Sequence, residues 1–166
     1  MLALKISEIK GFMNQLLIGN TFDFFPTADV SITTFNTFTI NGTLNKDFFD
    51  TDTQDILTQN GSVYSQWKEI KPFCFSVIRG KRTPLQFRII FQFTPQLISS
   101  VFPMTRTDDF SDASSLSLNI QYKSNTLLCT SGISQKIFSL DKHTEQLWDA
   151  AVQKFFNDQN ISYEFL

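Results

Sequence analysis

The sequence predicts an α+β domain in which helices cover mainly one face of an antiparallel sheet. Three observations carry this. Runs that alternate apolar and polar residues interchange along the chain with runs of helical spacing. Successive strand-like runs are joined by short connections, which favours antiparallel pairing. The length of 166 residues suits one core, which at this size buries roughly 70% of the unfolded surface, so residues 1–166 read as a single domain.

Leu2, Leu4 and Ile6 alternate as a strand does, and Ser7 is placed to cap a helix carrying Ile9, Phe12, Met13, Leu16 and Leu17 before Gly19. Val30 to Leu44 is rich in Thr, Ile and Phe and contains Asn41-Gly42, a dipeptide suited to a two-residue hairpin turn. An acidic stretch leads into a short helix over Thr53–Gln59 that Asn60-Gly61 closes. Trp67, Ile70, Cys74, Val77 and Ile78 recur at helical intervals, which predicts a helix over Lys68–Arg79 with Pro72 in its first turn; the alternation of Phe73, Phe75 and Val77 leaves a strand as the competing reading. Leu85, Phe87, Ile89, Phe91 and Phe93 alternate with mostly polar residues and mark the clearest strand, with one wet face. A short helix follows over Pro95–Val101, then an exposed, mobile loop over Thr105–Ser115. Leu116–Tyr122 is a strand, Lys123-Ser124-Asn125 a turn, and Thr126–Leu140 a run that Gly132 interrupts by a bulge or second turn. Asp141 caps a last helix with Thr144, Leu147, Trp148, Val152, Phe155 and Phe156 on one stripe, and Ile161–Leu166 either adds an edge strand or frays.

Composition narrows the function classes. Charged residues make up only 18%, and there are 19 Phe against 2 Trp and 3 Tyr, a set of aromatics that needs no hydrogen-bond partner inside a core. A net charge of −2 provides no global field to draw nucleic acid or an anionic membrane. The charge is uneven, however. Lys68, Lys71, Arg79, Lys81, Arg82 and Arg88 stand against Glu69 alone, so residues 68–88 carry +5 and the rest of the chain −7. Charges within the first residues argue against a signal peptide, and no stretch is apolar enough to span a bilayer, so the expected compartment is the cytoplasm. Cys74 and Cys129 lie in apolar surroundings and read as buried free thiols.

No catalytic constellation stands out. The single histidine, His143, reads as a surface residue in a helical first turn, and no Cys-x-x-Cys or histidine pair offers a zinc site. Gly80-Lys81-Arg82-Thr83 lacks the first glycine of a phosphate loop, and it comes before a strand where that loop would open a helix. Asp47, Asp50, Asp52 and Asp55 could hold a divalent cation, although their spacing is not that of an EF-hand and acids there also suit a helix N-terminus. The basic residues could meet phosphates or an acidic protein. Phe22, Phe24, Phe25, Phe48 and Phe49 fall outside any buried periodicity and would form an interaction surface if exposed together.

Five segments, Ser31–Thr39, Pro72–Phe75, Arg79–Leu85, Leu118–Tyr122 and Leu140–Lys142, together resemble those of a family of short, uncharacterised bacterial proteins known only as a domain of unknown function. The resemblance covers nearly the whole chain and implies one self-contained domain. It carries no activity, cofactor or catalytic residue with it. The leading expectation is therefore a non-enzymatic cytosolic binding or protein-interaction module without a cofactor, a homo-oligomer being compatible with it. Nucleic-acid binding through residues 68–88 comes second, and a metal-dependent enzyme built on the aspartates third.

Overall fold

The computed structural model describes residues 1–103 and 105–166. Its strands are β1 (Ala3–Ile6), β2 (Pro26–Thr33), β3 (Thr37–Asn41), β4 (Ser65–Gln66), β5 (Gln86–Phe93), β6 (Ala113–Lys123), β7 (Thr126–Gln135) and β8 (Tyr163–Phe165). The helices are α1 (Ile9–Leu17), α2 (Thr51–Gln59), α3 (Trp67–Ile78), α4 (Pro95–Val101) and α5 (His143–Asp158), with short 3-10 turns at Lys46–Phe48 and Thr107–Phe110. All strand pairs are antiparallel in the order β3-β2-β5-β6-β7-β1-β8, and β4 pairs with the start of β2. The fold is the expected α+β type.

Alternation puts Val30, Ile32, Phe87, Ile89, Phe91, Phe93, Leu118, Ile120 and Cys129 on the buried face of the sheet. Against it pack α1 through Phe12 and Leu16, α3 through Trp67, Ile70 and Cys74, and α5 through Trp148, Val152 and Phe156. Each tryptophan finds a partner for its N–H: Trp67 donates to the Leu16 carbonyl (2.7 Å) and Trp148 to that of Ser117 (3.0 Å). The opposite face presents Ser31, Thr33, Gln86, Arg88, Asn119, Gln121 and Thr130, none of them fully buried.

Several expectations need correction. Ser7 does not cap α1, because the cap position falls on Glu8 and the helix starts at Ile9; the Ser7 backbone N–H instead donates to the Ser162 carbonyl in the chain leading to β8. The β2–β3 hairpin exists, but it turns at Thr34-Phe35-Asn36; Gly42 lies at the other end of β3, where its missing side chain lets the backbone meet the Thr27 carbonyl. Helix, not strand, is right for α3, but Pro72 is its sixth residue and so leaves the Lys68 carbonyl without its usual donor. Thr105–Ser115 is not an exposed loop, since Phe110 is buried and Ala113 already belongs to β6. Gly132 neither bulges nor turns; it sits in register opposite Ser117, and the irregularity falls between Ala113 and Ser115. Ser124 and Asn125, both at positive φ, make the β6–β7 turn, and β8 is the edge strand expected of the tail. Asp141 lies outside the cap position of α5 yet does accept the His143 N–H (2.9 Å).

Candidate binding cleft

The loop between α3 and β5 is fixed at both ends. Arg79 donates its backbone N–H to Phe75 (2.8 Å), Pro84 is buried, and Leu85 donates to the Thr33 carbonyl at the hairpin (2.9 Å). Between those anchors the chain turns at Gly80 and presents Arg79, Lys81 and Arg82 to solvent. No acidic group among the described residues lies within ion-pair distance of these three. The C-terminus of α3 beside them favours cations and helps keep them in place.

Opposite the loop stands the hairpin tip. Phe35 is 86% exposed and meets Phe38 edge to face at 5.8 Å. The hydroxyl of Thr34 is buried and has no hydrogen-bond partner among the described residues. Tip, loop, Val77 and Leu85 line a solvent-open cleft of about 610 Å³. On the other side of the loop the same three cations border a second cavity of about 360 Å³, shared with Ile9, Lys10 and Met13 of α1 and with Phe87 and Tyr122. The arrangement can take an anionic group and apolar surface side by side.

The other predicted cations are engaged elsewhere. Lys71 reaches Asp23 (2.5 Å) and the Gly19 carbonyl (2.8 Å), tying α3 to the segment after α1. Arg88 pairs with Asp29 (3.0 Å) on the open sheet face. Lys68 lies 5.1 Å above the Phe24 ring. The six therefore do not make one surface, and half of them gather.

The aspartates do not converge. Asp50 caps α2 by accepting the Thr53 N–H (2.7 Å), and the Thr53 side-chain hydroxyl first, with that backbone bond second, holds its carboxyl below its ordinary value. Asp47, Asp52 and Asp55 are exposed along the same insertion, and among the described residues no three His, Cys, Asp or Glu side chains gather as metal ligands. Nor do the five phenylalanines share a surface. Phe22 and Phe25 sit at the centre of the core, Phe24 lies under Lys68, and Phe48 and Phe49 meet edge to face at 5.4 Å beside α2. Burial pushes the Cys74 thiol up to about 12 and raises Cys129 too, so neither is poised as a nucleophile, and both are free.

Sequence reading missed Thr34, Phe35, Leu85 and Lys10 as neighbours of the basic loop. The available signal was Phe35-Asn36, where the alternation of the Thr-rich run breaks; it was hidden because Asn41-Gly42 is the stronger turn dipeptide.

A family model described as "Family of unknown function (DUF5721)" matches residues 15–164. No curated protein and no solved structure matches the chain. No described helix is long and apolar enough to cross a membrane.

Proposed function

We propose, from the premise that the chain belongs to the DUF5721 family of unknown function, that it is a non-enzymatic interaction module whose α3–β5 loop binds an acidic segment of a protein. The observation that carries this is the convergence of Arg79, Lys81 and Arg82 on one cavity with no compensating acid among the described residues. Three cations close together raise one another's electrostatic energy, and an incoming carboxylate removes that cost while gaining charge-assisted hydrogen bonds. Phe35, Val77 and Leu85 supply apolar contact beside them, which suits a peptide mixing acidic and aromatic residues. Nucleic acid is the weaker fit. Following a phosphate backbone needs a longer cationic track, and Lys71 and Arg88 are already held by acids.

Fluorescence anisotropy tests the reading with two labelled probes, a peptide of interspersed glutamate and phenylalanine and a thymidine oligonucleotide. The peptide should bind with an affinity that falls as salt rises. The Lys81→Glu/Arg82→Glu variant should lose at least about tenfold, since charge-assisted contacts contribute roughly 1.5–3 kcal/mol each. Binding of the oligonucleotide in place of the peptide would transfer the cleft to nucleic acid. Binding of neither would overturn it.

A further inference from the structure

We infer that the acidic segment seated in the cleft belongs to a second copy of this chain, which pairs through β3 to make a two-fold dimer. The inference rests on the reading of the cleft given above and names its occupant.

Strand β3 ends the sheet, and beyond β2 it has no strand neighbour among the described residues. The bonds Thr34 N–H to Asn36 and Gly42 N–H to Ala28 fix which residues of β3 face β2. By antiparallel alternation, Phe38 and Ile40 bond inward while Thr37, Thr39 and Asn41 direct their backbone groups outward. Such an edge is normally protected by charge, proline or a bulge. Here no ionisable residue occurs from Val30 to Asn45.

Apolar side chains stand near the hairpin tip. Phe73 is 68% exposed and shares a stripe of α3 with Val77, and Val77 borders the same cavity as Phe35.

The edge is complementary to itself. Antiparallel pairing centred on Thr39 places Phe38 opposite the partner's Ile40 on the apolar face and Thr37 opposite the partner's Asn41 on the polar face. The same symmetry brings the hairpin tip at Phe35 level with the partner's Thr43. That is where the partner's chain leaves the sheet for the insertion carrying Asp47, Asp50, Asp52 and Asp55 and the exposed Phe48. Arg79, Lys81 and Arg82 stand beside that tip. Each basic loop thus faces an acidic, aromatic segment, and the two-fold axis makes the contact twice. A strand of five residues is too small for a stable interface on its own, since stable ones bury about 1,200 Å² or more, so both insertions are needed to complete it. Helix α2, which buries none of its own side chains, gains a purpose in this arrangement.

Sedimentation velocity with charge reversal at both sites tests the dimer. The wild-type chain should dimerise, less so at high salt. Lys81→Glu/Arg82→Glu and Asp52→Lys/Asp55→Lys should each be monomeric. An equimolar mixture of the two should dimerise again, because both contacts then pair opposite charges; misfolding of either variant could not give that result. Thr39→Pro, which removes a donor that β2 does not use, should also give monomer. A wild-type chain that stays monomeric at about 100 µM, well above a micromolar Kd, while still binding the acidic peptide would overturn the second copy and leave the cleft reading intact. A dimer indifferent to charge reversal and to Thr39→Pro would overturn this interface, and the peptide titration would then decide the cleft by itself.

Discussion

Replacing Phe25 by alanine should unfold far more of this protein than replacing its neighbour Phe24. The Phe25 side chain is 1% exposed, and its ring centroid lies 5.1–5.5 Å from those of Phe22, Phe91, Phe93, Phe102 and Phe155. Truncating a fully buried phenylalanine costs about 3–5 kcal/mol in lost transfer energy and residual cavity. Five aromatic contacts put Phe25 at the upper half of that range, about 4–5 kcal/mol. Phe24 is 61% exposed and its main contact is Lys68, an exposed cation–π pair worth about 0.5–1 kcal/mol. For a chain of this size each kcal/mol moves the midpoint by about 2–4 °C, so Tm should fall by about 8–20 °C for Phe25→Ala and by under about 4 °C for Phe24→Ala. Urea denaturation followed by tryptophan fluorescence gives the free energies, and calorimetry the midpoints. A Phe25→Ala protein within about 1 kcal/mol of wild type, or equal costs at the two positions, would refute a core centred on Phe25.

The two glycines in close contact should behave differently. A Cβ at Gly42 would lie 1.7 Å from the Thr27 carbonyl oxygen, a backbone atom that cannot yield, so Gly42→Ala should cost more than about 3 kcal/mol in urea unfolding or fail to give soluble protein. At Gly132 the obstacle is the Ser117 Oγ at 2.5 Å, which can rotate; Gly132→Ala should cost under about 1 kcal/mol, and Ser117→Ala should relieve it in a double-mutant cycle. The thiols predict a pH dependence. Both are raised above the ordinary 9.0 in the folded state, so the fold retains protons that the unfolded chain releases: their contribution is intact below pH 9 and lost as pH rises beyond it. Unfolding free energy measured from pH 8 to about 10.5 should therefore fall more steeply in wild type than in Cys74→Ala/Cys129→Ala, and neither thiol should react with a disulfide reagent before unfolding.

The strongly periodic elements were legible in the sequence because burial on one face leaves a regular mark. Phe87, Phe91 and Phe93 on β5, and Trp148, Val152, Phe155 and Phe156 on α5, are all buried as their spacing predicts. Turn positions were less legible. Asn41-Gly42 suits a hairpin turn by dipeptide preference, yet Gly42 is required there by its approach to Thr27, a contact between segments fifteen residues apart that no local pattern encodes. The same limit applied to Phe22 and Phe25. They belong to no regular element of their own period, and only the folding of the segment after α1 beneath α5 and β5 puts their rings against Phe91 and Phe155.

By itself, the sequence determined the α+β class, the helix and strand stripes, the unreactive thiols and the uneven charge, since each follows from residue type and spacing along the chain. The tertiary structure decided which charges are paired and which are not. It spends Lys71 on Asp23 and Arg88 on Asp29, sets Lys68 over Phe24, and leaves Arg79, Lys81 and Arg82 beside Thr34 and Phe35 with no acid among the described residues within ion-pair distance. Ion pairing depends on distances of a few ångströms between segments far apart in the chain, and those distances exist only once the helices have packed on the sheet.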